Sequence, residues 1–89
     1  MVKREKLEII RDILNVIHEN RNSIKITPLI RKSNMSTQRF KEYFSELSQK
    51  GFVKEINSNG EKSISITEKG SKFLEKYKTI VNFIEEFEL

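Results

Sequence analysis

Hydrogen-bonding side chains recur at helical spacing in the segment SNMSTQRFKEYFSELSQKGFVKE, residues 33–55. Apolar residues of this segment fall at i, i+3, i+4 and i+7, which anchors one helical face in a core; they are Phe40, Tyr43, Phe44 and Leu47. The opposite face is polar and carries Gln38, Lys41, Glu42, Ser45 and Gln49. Amide, hydroxyl and ammonium groups on a rigid helical ridge can hydrogen-bond to base edges in a DNA major groove, so this face is the first candidate for a binding site.

Periodicity predicts four helices and one β-hairpin to position that face, in a single domain over residues 1–89. The helices cover about 4–20, 27–33, 37–50 and 68–88, and the strands about 52–57 and 62–67. Residues 23–26 can form a short extended piece. The expected fold class is therefore mainly α with a small β-hairpin, with a core over about 4–67 followed by a long C-terminal helix.

Residues that cap helices mark three of the predicted helix starts. The second helix is expected to begin with Thr27 as its N-cap and Pro28 at its first position. Ser36 and Thr67 are the expected N-caps of the third and fourth helices. Gly51 suits the left-handed position that follows the end of a helix.

The hairpin turn is predicted at Asn59-Gly60, because a type I′ turn needs positive φ at both central residues. Ile64 and Ile66 share one face of the second strand. Which residues of the first strand share that face depends on whether the loop has two residues or contains a bulge, so the sequence leaves the register open.

Apolar residues of the last helix recur at spacings of 4, 3, 4 and 3, which is a heptad seam; they are Phe73, Tyr77, Ile80, Ile84 and Phe87. Val81 broadens this seam, and Ile9 and Val16 widen the apolar stripe of the first helix. Three short helices and a hairpin are too small to cover so long a stripe, so we expect a homodimer that buries it. The alternative is that the last helix folds back entirely on the first helix.

Composition limits the classes of function. The net charge is +4 with a pI near 9.4, and residues 1–33 hold eight Lys/Arg against four Asp/Glu, a mild indication of a polyanionic partner. His18 is the only histidine and cysteine is absent, so neither a thiolate zinc site nor a nucleophile–base pair of these residues can be built. The three glycines are isolated and form no phosphate loop. We therefore expect no enzyme activity, no metal and no cofactor.

The hydrophobic segments are short. No apolar run approaches the roughly 18 residues that a membrane span needs, and the N-terminal residues lack the apolar region of a secretory signal. Together with the absence of cysteine, this pattern predicts a cytoplasmic protein.

Three helices, a hairpin and a last helix make the element order of a winged helix-turn-helix, in which the hairpin is the wing. The segments KGFV (residues 50–53) and ITEKG (residues 66–70) are the most specific part of a resemblance to the small archaeal winged helix-turn-helix regulators, and the resemblance extends over about residues 5–80. It implies binding of double-stranded DNA as a dimer, with transcription regulation or chromatin organisation as the use. Some members of that family dimerise through antiparallel pairing of the last helix.

If DNA is the partner, the candidate contacts divide into three groups, although a solvated surface position is the commoner role for any one polar side chain. Candidates for base edges are Thr37, Gln38, Lys41 and Ser45, and the Gln38 amide can pair bidentately with adenine. Candidates for phosphates are Arg31, Lys32, Ser36 and Arg39. Candidates on the wing, for the backbone or an adjacent minor groove, are Asn57, Asn59 and Lys62.

Glu42 lies in the centre of the same polar face, where a carboxylate repels phosphates. It either accepts a hydrogen bond from a cytosine amino group or indicates that DNA is not the partner. The rival hypothesis is a winged helix that binds another protein and no DNA, because one fold supports both uses.

Overall fold

The computed structural model describes residues 4–88, and in that range it contains four helices and three strands. In chain order these are α1 (Arg4–Glu19), β1 (Ser23–Lys25), α2 (Ile26–Lys32), α3 (Thr37–Gln49), β2 (Val53–Ser58), β3 (Glu61–Ile66) and α4 (Glu68–Glu86). This order confirms the predicted winged helix-turn-helix, with β2 and β3 as the wing and α4 as the long last helix. Residues 1–3 and 89 of the expected domain lie outside the described residues.

The sheet has three antiparallel strands, one more than the sequence predicted. Residues 23–25, expected only as an extended piece, form β1, which pairs with β3 and gives the strand order β1-β3-β2. Asn59 (φ 54°) and Gly60 (φ 78°) form the predicted turn, and the residues on either side of them pair directly. The wing is therefore a regular hairpin with a two-residue loop.

The register places one apolar face of the sheet against the helices. Val53 pairs with Ile66 and Ile24 pairs with Ile64, and all four side chains are buried. Ile56 lies on the outer face of β2 and is 39% exposed. Of the alternatives that the sequence left open, the structure therefore selects the one in which Val53 faces the core.

The hydrophobic core lies between α1, α2, α3 and the inner face of the sheet. α1 contributes its predicted stripe, which consists of Ile10, Ile13, Leu14 and Ile17. Ile9 and Val16, predicted for a dimer interface, are half-buried and pack against this core. Only the remaining exposed part of these two side chains is accessible to a second subunit.

Two of the three predicted N-caps are confirmed. The Ser36 Oγ accepts a hydrogen bond from the Arg39 N–H at 3.2 Å, and the Thr67 Oγ1 accepts one from the Gly70 N–H at 3.1 Å. Gly51 follows α3 with φ 78°, the left-handed conformation expected after a helix end.

The prediction of Thr27 as the N-cap of α2 is wrong. α2 begins at Ile26, and its N-cap is Lys25, whose side chain makes no capping hydrogen bond. β1 runs directly into the helix, so its last residue already has the extended backbone that an N-cap requires (φ −72°, ψ 154°). Pro28 is accordingly the third residue of α2 and not the first, as predicted, but it still lies in the first turn, where a missing N–H removes no intrahelical hydrogen bond.

Residues 50–53 and 66–70, which carry the family resemblance, meet in space and form what we call the α3–α4 junction. The Thr67 hydroxyl donates to the Gly51 carbonyl oxygen at 2.6 Å, and the Thr67 N–H donates to the Phe52 carbonyl oxygen at 3.1 Å. The N-cap of α4 is therefore bonded directly to the chain that leaves α3.

Gly70 allows the close approach of α4 within this junction. A Cβ at Gly70 would overlap the Phe52 carbonyl oxygen and come within 2.7 Å of the Ile66 Cγ1. The Lys69 Nζ donates to the Lys50 carbonyl oxygen at 2.7 Å and lies 5.1 Å from the centroid of the Phe52 ring. These contacts fix the start of α4 against the end of α3.

Candidate nucleic-acid interface

The predicted apolar face holds α3 on the body of the protein. Phe40 and Leu47 are buried, and Tyr43 and Phe44 are half-buried against the core. The Phe40 and Phe44 rings stack with their centroids 5.5 Å apart. With these four side chains anchored, the opposite face of α3 projects from the surface as a rigid ridge.

The side chains of α3 farthest from the core form a line that we call the central row, because successive helical residues are about 100° apart. The central row consists of Gln38, Glu42, Ser45 and Gln49, and all four residues are exposed. It offers hydrogen-bond donors and acceptors and contains no cation. Within residues 4–88, none of these four side chains makes a hydrogen bond or an ion pair.

Cationic side chains flank the central row on both sides. Lys41 lies on one flank, and Arg39 lies on the other, where its guanidinium carbon is 5.9 Å from the centroid of the Tyr43 ring. Both residues are exposed. Hydrogen-bonding groups in the middle and cations at the edges match a duplex groove, which has bases on its floor and phosphates along its rims.

Every residue predicted for DNA contact is exposed. The helix-turn-helix segment of α2, the turn and α3 contains Arg31, Lys32, Ser36, Thr37, Gln38, Arg39, Lys41 and Ser45, and the wing contains Asn57, Asn59 and Lys62. The Ser36 oxygen already accepts the capping hydrogen bond, so this side chain retains its hydroxyl proton as a donor. Gln49 was assigned to the polar face from the sequence but was not among the residues predicted to contact DNA, although it lies eleven residues, or about three helical turns, after Gln38 and therefore on the same line. The binding role of all these residues stays a prediction.

Glu46 connects α3 to α1, a contact that the sequence did not predict. Its Oε2 lies 2.9 Å from the Lys6 Nζ and 3.5 Å from the Lys50 Nζ. The hydrogen bond from Lys6, followed by the charge of Lys50, lowers the pKa of Glu46 against the desolvation that raises it. This ion pair fixes the flank of α3 that faces the first helix.

The distal half of α4 exposes a second, apolar surface. We call it the α4 apolar end: Ile80, Phe83 and Phe87 are 56%, 54% and 59% exposed, respectively. The Phe83 and Phe87 rings contact each other with centroids 4.9 Å apart. Phe83 was absent from the predicted seam, although it lies three residues after Ile80 and four before Phe87.

The proximal half of the predicted seam packs within the chain. The Phe73 ring meets the Phe52 ring edge-on at 5.5 Å, and the Arg11 guanidinium carbon lies 5.3 Å from the centroid of the Tyr77 ring. The half-buried members of the predicted dimer interface are Ile9, Val16, Phe73, Tyr77, Val81 and Ile84. The seam therefore divides between contacts inside the chain and the exposed α4 apolar end.

The single histidine of the chain lies on the surface. His18 is exposed, with its Nδ1 2.9 Å from the Asn22 Oδ1. Across residues 4–88, no group of His, Asp and Glu side chains is arranged to hold a metal ion. The four helices described also include none that is long and apolar enough to cross a bilayer.

Comparison with a family model gives a match over nearly the whole chain. The model is described as winged helix-turn-helix, and it matches residues 3–85. A search of curated proteins finds no match.

Solved structures with the same fold include three similar chains. Sso10a-2, described as a DNA-binding protein from Sulfolobus solfataricus, is 23% identical, with a TM-score of 0.72 over 91% of this chain and 82% of the other. SSV1 F-93 is 32% identical, with a TM-score of 0.68 over 90% of this chain and 88% of the other. AF1382 from Archaeoglobus fulgidus is 22% identical, with a TM-score of 0.69 over 96% of this chain and 92% of the other.

Proposed function

The chain belongs to the winged helix-turn-helix family, as its motifs predicted, and we propose that it binds double-stranded DNA as a homodimer and regulates transcription. The exposed central row of α3, flanked by Lys41 and Arg39, is the observation that carries this proposal. A helix is about 10–12 Å in diameter with its side chains, and the major groove is about 12 Å wide. The central row then meets base edges, and the flanking cations meet phosphates.

The segments around α3 supply further backbone contacts in this proposal. Arg31 and Lys32 end α2, immediately before the turn into α3, and both are exposed. Lys62 lies on the wing, which is the next part of the chain after α3. Phosphate contacts on both sides of α3 would fix its orientation in the groove without reading sequence.

A structural neighbour supports the class of ligand. The protein from Sulfolobus solfataricus is described as DNA-binding and has this fold. At 23% identity it supports a shared scaffold, so the contacts proposed here depend on this chain's own residues.

The homodimeric part of the proposal depends on the α4 apolar end. Three large apolar side chains, each more than half exposed, lie close together in the last turns of α4 and at its C-cap, Phe87, and such a cluster is typical of an interaction surface. A twofold axis through α4 would bury this surface against its copy, since such an interface uses the same patch on both subunits. It would also hold two copies of α3 for two related half-sites, which is the arrangement expected of a regulator.

Fluorescence anisotropy of a labelled duplex, measured against salt concentration, tests the DNA-binding proposal. Log affinity should fall linearly with log salt, by about 0.9 for each phosphate contacted. Arg31→Ala removes one phosphate contact from each subunit, so it should make this slope shallower by roughly 1.8 for a dimer and by roughly 0.9 for a monomer. Lys76→Ala, an exposed change on α4, should leave the slope unchanged.

Absence of duplex binding at about 50 mM salt, or binding that ignores salt, would contradict the DNA-binding proposal. It would favour the rival function, a module that binds another protein. Two features already support that rival: the modest net charge of +4 and the carboxylate of Glu42 in the central row.

A further inference from the structure

Glu42 is the acidic member of the central row, and nothing in the described chain neutralises it. Its side chain is exposed and makes no ion pair or hydrogen bond within residues 4–88. The other glutamate of α3, Glu46, contrasts with it, because Glu46 is paired with both Lys6 and Lys50. An unpaired carboxylate therefore lies in the middle of the surface that faces DNA in the proposed function.

This placement weakens binding to DNA in general. Binding that is independent of sequence comes almost entirely from attraction between cations and phosphates. A carboxylate on the same ridge repels those phosphates at every site along a duplex. Glu42 strengthens binding only where it gains a hydrogen bond that other sites do not offer.

The donor and acceptor pattern of the major groove determines which base can offer that bond. An ionised carboxylate only accepts hydrogen bonds. Guanine presents the acceptors N7 and O6, and thymine presents the acceptor O4, so neither base offers it a donor. Adenine presents an acceptor, N7, next to its N6 amino donor, and this acceptor repels a carboxylate, whereas cytosine presents only its N4 amino donor. Cytosine is therefore the best match for a carboxylate.

Building on the proposed DNA binding, we propose that Glu42 is a specificity-determining residue that selects cytosine through the N4 amino group. Gln38 lies one turn earlier in the central row and can pair bidentately with adenine. The two positions are about 6 Å apart along the helix axis, at 1.5 Å per residue. That separation corresponds to about two base-pair steps, since phosphates of one strand are about 3.4 Å apart along the duplex. The preferred half-site therefore contains an adenine and a cytosine at roughly that spacing.

Selection from a random duplex library tests this inference with the wild-type chain and three variants. Glu42→Gln keeps the size of the side chain but adds an amide donor, and Glu42→Ala removes the group. Glu75→Gln is the matched control for net charge, because Glu75 is exposed on α4, outside the reading helix. Circular dichroism confirms that each variant is folded, which we expect since all the changes are at exposed positions.

The wild-type chain should select a cytosine that Glu75→Gln retains. Against a duplex with that cytosine replaced, wild-type affinity should fall roughly 5- to 100-fold, as for other well-placed contacts between a side chain and a base. Glu42→Ala should lose this preference, and Glu42→Gln should weaken it, because its amide oxygen can still accept from the cytosine amino group but without the charge. Both variants should bind an unrelated duplex more tightly than Glu75→Gln does.

An unchanged cytosine preference in both Glu42 variants would overturn the inference, although the proposed DNA binding would stand. Equal gains in affinity for the unrelated duplex in Glu42→Gln and Glu75→Gln would also count against it, because the effect would then be one of net charge. Failure of the wild-type chain to bind any duplex would overturn the proposed function and this inference together.

Discussion

Replacement of Gly70 by alanine tests the α3–α4 junction. In an ordinary helix this change stabilises the fold by about 1 kcal/mol, because alanine has the higher helix propensity. At Gly70 the new methyl group would overlap the carbonyl oxygen of Phe52 and lie within 2.7 Å of the Ile66 Cγ1. The Ile66 side chain can adjust, whereas the Phe52 carbonyl belongs to the backbone and already accepts the Thr67 N–H at 3.1 Å.

The clash should therefore outweigh the gain in propensity. Overpacking of this kind costs about 1–3 kcal/mol, and here it displaces backbone and a hydrogen bond. Because the clash is with backbone, we expect a cost in the upper part of that range, about 2–3 kcal/mol, and after the gain of about 1 kcal/mol a net loss of about 1–2 kcal/mol in the free energy of unfolding. For a domain of this size that loss corresponds to a fall in Tm of roughly 5–15 °C.

Thermal and urea unfolding at one fixed protein concentration measure the effect, since the stability of a dimer depends on concentration. Lys76→Ala, an exposed change on the same helix, should alter stability by no more than about 0.5 kcal/mol. A Gly70→Ala variant as stable as the wild-type chain, or more stable, would refute the close approach of α4 to residues 50–53.

Three further predictions concern the dimer surface, the N-cap of α3 and the α1–α3 ion pair. Ile80→Lys combined with Phe83→Lys should give monomers in sedimentation at micromolar concentration, because both side chains are more than half exposed in the single chain. Ile56→Lys, on the outer face of the sheet, is the control and should leave assembly unchanged. A wild-type chain that sediments as a monomer would contradict the dimer proposal. Ser36→Ala should lower the free energy of unfolding by about 1 kcal/mol in urea titration, and no loss would show that the capping hydrogen bond is dispensable. The pKa of Glu46 is lowered in the fold, so its ion pairs stabilise the protein above the usual carboxyl value of 4.5 and are lost as the pH falls through the folded-state pKa. Glu46→Gln should therefore lower the urea midpoint at about pH 7 and have a progressively smaller effect as the pH falls below 4.5, and an effect that does not diminish in acid would contradict this explanation.

Features that depend on a few neighbouring residues could be predicted from the sequence. The cap at Ser36 needs only a hydroxyl and the N–H three residues later, and the turn at Asn59-Gly60 needs only two residues that tolerate positive φ. The anchored face of α3 was predictable for the same reason, because one helix repeats its apolar residues at a fixed period.

Features that depend on distant partners could not be predicted in this way. Residues 23–25 become a strand because β3, about forty residues later, supplies the hydrogen bonds, and this strand moves the start of α2 ahead of Thr27. From the sequence alone, Gly70 only lowers the helix propensity of α4 slightly, whereas in the fold its missing side chain allows α4 to approach Phe52 closely. A close approach between segments leaves no periodic signal.

The candidate site shows the same division. The central row follows from the helical period, so its residues could be named from the sequence. The ion pair between Lys6 and Glu46 depends on how α1 packs beside α3, and it was missed. The heptad seam of α4 was predicted, but the sequence does not show where along α4 the core ends. In the structure Phe73 packs on Phe52, whereas Ile80 is exposed.

The most direct test of the central claim, that the outward face of α3 binds duplex DNA, is NMR mapping with an isotope-labelled chain. Addition of a selected duplex should shift the backbone amide signals of residues 36–49 most strongly, with a second group of shifts at the wing, residues 57–62. Shifts that leave residues 36–49 unchanged and cluster on α4 instead would contradict the claim.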